Sequence, residues 1–222
     1  MIATLPRFYP ILDTEAVARA GMDVAKSART LLDAGVRIIQ LRHKQHFDKQ
    51  IFETAREVAA ACRDTGTLFV INDRADIAIL LDTALHVGQD DLPPKDARAL
   101  IGPGRLLGLS THNHAQLLAS NNEAVDYVAI GPIFATSSKQ NPDMVLGIEM
   151  LATLRPLTGR PVVAIGGINR ENAGSVLQTG VDSIAVIGDL FAPGGTLKSL
   201  RELAEEWIKI TEATPDNRTL SE

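Results

Sequence analysis

A chain of 222 residues, 45% hydrophobic and 22% charged, is long enough to bury a sizeable core and has the composition of an ordinary globular protein. A formal net charge of −5, with only two tyrosines and one tryptophan, argues against a general nucleic-acid binder, which needs a basic face and stacking rings. No apolar run approaches the roughly 20 residues of a membrane span. The start, MIATLPRFYP, lacks a signal-peptide pattern, and the lone cysteine, Cys62, leaves no disulfide framework or thiolate metal cluster. The expected setting is the cytoplasm.

Short apolar runs alternate with stretches of helical period along the whole chain. Arg7–Asp13 (RFYPILD) predicts a first strand. Val24, Ala25, Ala28, Leu31 and Leu32 then share a helical face that stops at Gly35. Residues 37–42 (RIIQLR) predict a second strand, followed by a helix with Ile51, Ala55, Val58, Ala59 and Cys62 in line. Leu68–Ile71 and Ala84–Val87 read as strands three and four, with a short helix around Ile77–Leu81 between them. Helices at Pro94–Ile101 and Ala115–Ser120 flank a fifth strand, Leu106–Leu109. Asp126–Ile130 predicts the sixth strand, and a polar loop, Ala135–Val145, leads to a helix at Ile148–Leu154. Pro161–Ile165 and Ser183–Ile187 read as strands seven and eight, separated by a helix that ends at Gly180. Leu197, Leu200, Leu203, Ala204, Trp207 and Ile208 line one side of a last helix.

Regular strand–helix alternation implies parallel pairing. Eight such units in a chain of this length favour one α/β domain, a closed (β/α)8 TIM barrel, over an open sheet. The barrel is expected to occupy residues 1–210, with 211–222 a polar tail expected to be disordered.

Active sites in such barrels are built at the carboxyl ends of the strands. Alternation puts Gln40, Arg42 and Lys44 on one side of strand two and Leu41 and His43 on the other. Apolar Leu41 suits the helix layer, so the two cations are expected to face the barrel mouth; a charged strand end that merely solvates is the competing reading. Asn72-Asp73 ends strand three and Gln89-Asp90-Asp91 ends strand four. Asp73 and Asp91 are then placed to hold a hard divalent cation, or are ordinary loop acids. Strand six runs into the hydroxyl-rich Thr136-Ser137-Ser138-Lys139, suited to phosphate oxygens. Gly166-Gly167 after strand seven and Gly188 after strand eight fit an anion nest, although Gly-Gly also serves as a tight turn, and the neighbouring Asp189 would repel phosphate unless it points away. His112 and His114 lack a third nitrogen or sulfur partner for a metal, and His46 and His86 read as structural or solvated.

The series QLRHK at 40–44, INDRAD at 71–76, HVGQDDLP at 86–93, GLSTH at 108–112, GPIFATSSK at 131–139 and AIGGI at 164–168 resembles the thiamine-phosphate synthase (thiamine-phosphate pyrophosphorylase) family. The resemblance spans nearly the whole barrel, with little signal in the first unit and the tail. It implies a Mg2+-dependent transferase that joins hydroxymethylpyrimidine diphosphate to thiazole phosphate, releasing thiamine phosphate and pyrophosphate. It further implies that Gln40, Leu41, Arg42, His43, Lys44, Asn72, Ser110 and Lys139 hold the pyrimidine diphosphate. Asp73 and Asp91 would ligate Mg2+, and Thr136, Ser137, Ser138, Gly167, Ile187 and Gly188 would hold the thiazole phosphate. Arg42, Lys44 and Lys139 would be the catalytic cations, balancing charge on the departing pyrophosphate.

Three positions depart from the family pattern: His43 stands where glutamate is usual, Ser137-Ser138 varies the Thr-x-Thr-Lys motif, and Gly188 replaces a common serine. A thiazole tautomerase of the same fold, which would not need the two aspartates, is the nearest alternative; a non-catalytic phosphometabolite-binding barrel is a further one. The partners implied are small molecules, and the sequence leaves the oligomeric state open, a homo-oligomer included.

Overall fold

The computed structural model describes residues 5–136 and 144–215. Each apolar run forms a strand: β1 (Phe8–Asp13), β2 (Ile38–Arg42), β3 (Leu68–Asn72), β4 (Ala84–Val87), β5 (Leu107–Thr111), β6 (Tyr127–Ile130), β7 (Val162–Ile165) and β8 (Ser183–Val186). Every strand pairs in parallel with its chain neighbours, and β8 pairs with β1, closing the barrel. The strands are buried on both faces, which is why they read as continuous apolar runs.

Strand parity divides the core in two. Phe8, Leu12, Ile39, Leu41, Ile71 and Leu85 point outward and pack under the helices. Tyr9, Ile11, Ile38, Val70, Ala84, Tyr127, Ala129, Val163 and Ala185 fill the interior. Ala129 and Ala185 leave space inside that larger residues would close.

Among the described residues the helices are α1 (Thr14–Arg19), α2 (Val24–Asp33), α3 (Lys49–Thr65), α4 (Ala75–Leu81), α5 (Pro94–Ile101), α6 (His114–Ser120), α7 (Gly147–Leu154), α8 (Ala173–Gln178) and α9 (Leu197–Ala213). Their ends follow local chemistry. Asp13, Asp23, Asp48 and Asn113 each accept a backbone N–H from the first turn of the helix they precede. Gly66 ends α3 in the left-handed conformation, with φ 69°. Thr196 and Ser199 form a capping box at α9.

Two boundaries differ from expectation. The first connection holds two helices, α1 and α2, because Asp13 and Asp23 both act as caps and Gly21 turns the chain between them at φ 73°. The last helix runs to Ala213, past the expected domain limit at 210, with Thr211 only 2% exposed and its hydroxyl donating to Trp207 O at 3.0 Å. The last seven residues of the tail and most of the Ala135–Val145 loop lie outside the described residues. No described helix is long and apolar enough to cross a membrane.

α9 packs against β1, α2 and α8. Its Trp207 is fully buried, stacked on Phe8 at 5.5 Å between ring centroids. Removing that ring leaves a cavity where the last helix meets the first strand. Trp207→Ala should therefore cost roughly 3–5 kcal/mol, read as a lower urea midpoint.

Candidate active site

A cavity of about 740 Å3 opens at the carboxyl ends of the strands, a volume suited to small-molecule substrates. Gln40, Arg42 and Lys44 all line it, as strand alternation predicts. Arg42 does not stand alone. Its guanidinium pairs with Asp13, whose side chains are 16% and 6% exposed respectively. Asp13 lies directly across the β1–β2 ladder and its other oxygen caps α1. The same carboxylate therefore anchors a helix and holds a cation at the mouth.

Across the mouth Asp73 and Asp91 hydrogen-bond to each other, and Lys44 Nζ reaches Asp73 Oδ2 at 2.5 Å. Asp73 adopts φ 65°, a left-handed conformation that aspartate tolerates better than most residues. Its backbone N–H donates to His86 O at 2.7 Å, tying the end of β3 to β4. Burial, reinforced by the Asp91 hydrogen bond, raises the Asp73 carboxyl from 3.8 to about 6. Burial acts in the same sense on Asp91, but the hydrogen bonds from Asp73 and from Gly88 N–H (2.8 Å), with Lys44 nearby, hold it below its usual value. Below about pH 6 the pair thus shares a proton.

No group of three or more His, Cys, Asp or Glu side chains suited to a metal occurs among the described residues. Two carboxylates suit an ion that completes its shell with substrate oxygens and water, the usual habit of Mg2+. Oxygen donors in contact, held together by a proton that a cation can replace, fit such an ion.

The opposite wall is backbone. Gly166 and Gly167 have φ 100° and 64°, and Cβ atoms there would lie 2.5 Å from Pro132 Cβ and from Ala135 O. Only glycine fits. Asn169 and Asn172 close the following turn, with Asn172 Nδ2 donating to Gly167 O at 3.1 Å. Gly188 and Ile187 complete this wall, and Thr136 stands at its edge. Asp189 also borders the cavity, but its Oδ2 is engaged: it accepts from Arg170 Nε at 2.9 Å and Trp207 Nε1 at 2.8 Å. Its charge is paired with Arg170 and bound by the Trp207 indole of α9, which leaves the anion-binding part of the wall to backbone amides.

The cavity thus brings together Gln40, Arg42, Lys44, Asn72, Asp73, Asp91, Ser110, Thr136, Gly167, Ile187 and Gly188. Asn72 is buried, and its Nδ2 has no hydrogen-bond partner, a donor available to a ligand. Ser137, Ser138 and Lys139 lie outside the described residues. Two members of the 40–44 stretch do not line the cavity. Leu41 is 2% exposed in the outer core. His43 faces away, with Nδ1 2.8 Å from Thr14 Oγ1 and its ring edge-on to Phe47. Parity accounts for both, since odd and even positions of a strand face opposite sides.

Among the cavity or bracing residues not picked out from the sequence, four carry polar groups that matter to the site. His86, read as structural or solvated, is buried yet lines the cavity floor. Tyr9 and Tyr127 lie beside it, on inward positions of β1 and β6. Asp13 braces Arg42 from a strand end whose acid looked like a simple boundary. A polar residue at an inward parity position was the available signal in each case.

The thiamine monophosphate synthase family profile matches residues 8–190. The chain is 45% identical over 209 residues to the thiamine-phosphate synthase of Koribacter versatilis, covering 93% of this chain and 96% of that one. The chain belongs to the thiamine-phosphate synthase family. It is therefore an enzyme, and its class is transferase. The family's Chloroflexus aurantiacus member is 38% identical over 202 residues, 89% of this chain and 90% of that one. Among solved structures, a thiamine phosphate pyrophosphorylase from Pyrococcus furiosus superposes with TM-score 0.82 at 31% identity, covering 94% of this chain and 96% of that one.

The carboxylate pair carries a pH signature of its own. A carboxyl whose value rises on folding stabilises the fold below its unfolded value, and that contribution is lost as pH climbs through the folded one. For Asp73 the window runs from 3.8 to about 6. Asp73→Asn, which cannot ionise and suits the same backbone, should melt a few degrees above the wild type at pH 8 without metal. The two should melt together near pH 4, as differential scanning fluorimetry would show.

Proposed function

We propose that the chain couples hydroxymethylpyrimidine diphosphate to thiazole phosphate, giving thiamine phosphate and pyrophosphate, in the cytoplasm. The observation that carries this reading is the meeting, in one cavity, of Arg42 and Lys44 with the Asp73–Asp91 pair, opposite a glycine-built wall. A tautomerase would have no use for two carboxylates held in contact. A free buried thiol at Cys62 suits a reducing compartment.

In this reading the pyrimidine diphosphate lies over Gln40, Asn72 and Ser110, with its diphosphate toward Arg42, Lys44 and Lys139. Asp73 and Asp91 hold Mg2+, which when bound supplies neutralising charge for the diphosphate oxygens. The methylene–oxygen bond breaks with its electron pair passing to pyrophosphate. The thiazole nitrogen then donates its lone pair to the methylene carbon, forming the carbon–nitrogen bond. Arg42, held by Asp13, and Lys44 stabilise the charge that builds on the leaving group. The thiazole phosphate binds the amides around Gly167 and Gly188, with Thr136, Ser137 and Ser138 supplying hydroxyls. No proton need be abstracted, so positioning and fixed charge suffice. Such a site needs no general base.

The decisive assay mixes both substrates with Mg2+ and follows thiamine phosphate and pyrophosphate. Isomerisation of a thiazole substrate without coupling would favour the tautomerase. Asp91→Ala should lower kcat/KM by roughly a hundredfold or more, and near-normal turnover would remove the metal assignment. Gly188 tests the phosphate wall. A Cβ added there meets nothing within 4 Å, so serine can be accommodated. Gly188→Ser should lower the KM for thiazole phosphate by roughly threefold to tenfold, with kcat little changed.

A further inference from the structure

Beneath the cavity, five side chains form one hydrogen-bond chain across the barrel. Gln40 Nε2 donates to the Tyr9 hydroxyl at 2.9 Å, and the Tyr9 and Tyr127 hydroxyls lie 3.1 Å apart. The Tyr127 hydroxyl is 3.1 Å from His86 Nδ1, and His86 Nε2 is 2.9 Å from Ser110 Oγ. Gln40, Tyr9, Tyr127 and His86 are 3%, 1%, 1% and 6% exposed, so water does not compete for these bonds. Room for the rings is made by Gly108, which pairs with both His86 and Tyr127 in the ladder. A Cβ there would fall 2.1 Å from Tyr127 Cζ and 2.4 Å from His86 Nδ1. Burial pushes both phenols well up, so each keeps its single hydrogen.

We infer that Tyr9, Tyr127 and His86 are positioning residues whose chain presets Gln40 as an acceptor and Ser110 as a donor toward the substrate ring. The direction follows from Gln40, whose amide nitrogen can only donate. Tyr9 accepts that bond and passes its own hydrogen to Tyr127. Tyr127 in turn donates to His86 Nδ1. An imidazole accepting at Nδ1 carries its proton on Nε2, and this proton goes to Ser110 Oγ. The serine hydrogen is thereby left for the cavity, while the Gln40 carbonyl is the amide's acceptor. An acceptor beside a donor matches a heteroaromatic ring bearing an amino group next to a ring nitrogen. That substrate class rests on the pyrimidine reading above.

Imidazole 15N–1H spectra of histidine-labelled protein without substrates test the direction, with His86 assigned by its loss in His86→Gln. The expected result is a single tautomer protonated at Nε2. Protonation at Nδ1 overturns the proposal, because the chain then runs toward Gln40 and Ser110 donates inward. Tyr127→Phe and Tyr9→Phe keep ring volume and should keep the fold by thermal melting. Each should dissolve the single tautomer and raise the KM for the pyrimidine diphosphate roughly fivefold to tenfold, leaving the thiazole KM unchanged. An unchanged pyrimidine KM in both variants also overturns it. Absence of coupling by the wild type would defeat the functional reading alone, since the tautomer still decides the direction of the chain.

Discussion

Closure of the strand ladder is the constraint on which everything else in this molecule depends. Once β8 pairs with β1, every inward side chain must fit a space of fixed width, and every carboxyl-end loop must face the same mouth. Arg42 and Asp13 meet because the β1–β2 register sets them side by side. Asp73 and Asp91 meet because β3 and β4 end together. The first meeting follows from backbone hydrogen bonds of the sheet alone; the second also needs the turn after β4, where Gly88 N–H donates to Asp91 Oδ2 at 2.8 Å.

The same closure divides the site into two physical regimes. On one side, side-chain charges are crowded and partly desolvated: Lys44, Asp73 and Asp91 are linked, and one carboxyl holds its proton to about pH 6. On the other, Gly166, Gly167 and Gly188 present backbone with almost no side chain. Charge that would spoil this wall is drawn off, since Asp189 is bound by Arg170 and Trp207. The last helix therefore contributes to the site without touching the cavity. Between the two regimes the floor is polar but buried, and its bonds are satisfied from Gln40 to Ser110, as low dielectric requires.

Much of this was legible in the residues. Apolar runs such as DYVAI and PVVAI, split by helical stretches, predict the parallel barrel. Alternation in QLRHK places Arg42 and Lys44 inward and Leu41 and His43 outward, and the structure agrees. Less was legible where partners are distant in sequence. His86 and Tyr127 are 41 residues apart, and Tyr9 and Tyr127 are 118 apart. Nothing local marks them as partners, because a tyrosine in an apolar strand is ordinary core until a second hydroxyl is brought to it.

What the sequence by itself determined was the repeating unit, the parity of each strand and the identity of the groups at each strand end. These depend on periodicity and on caps such as Asp48 and Thr196, which act over a few residues. The second helix of the first connection and the run of α9 to Ala213 were settled at finer scale, the latter by burial of Thr211. Tertiary structure alone decided which acid braces Arg42, that Asp73 and Asp91 meet, and that Asp189 is bound by Arg170 and Trp207. Each of those outcomes depends on a distance between residues far apart in the chain, and such distances exist only once the barrel has closed.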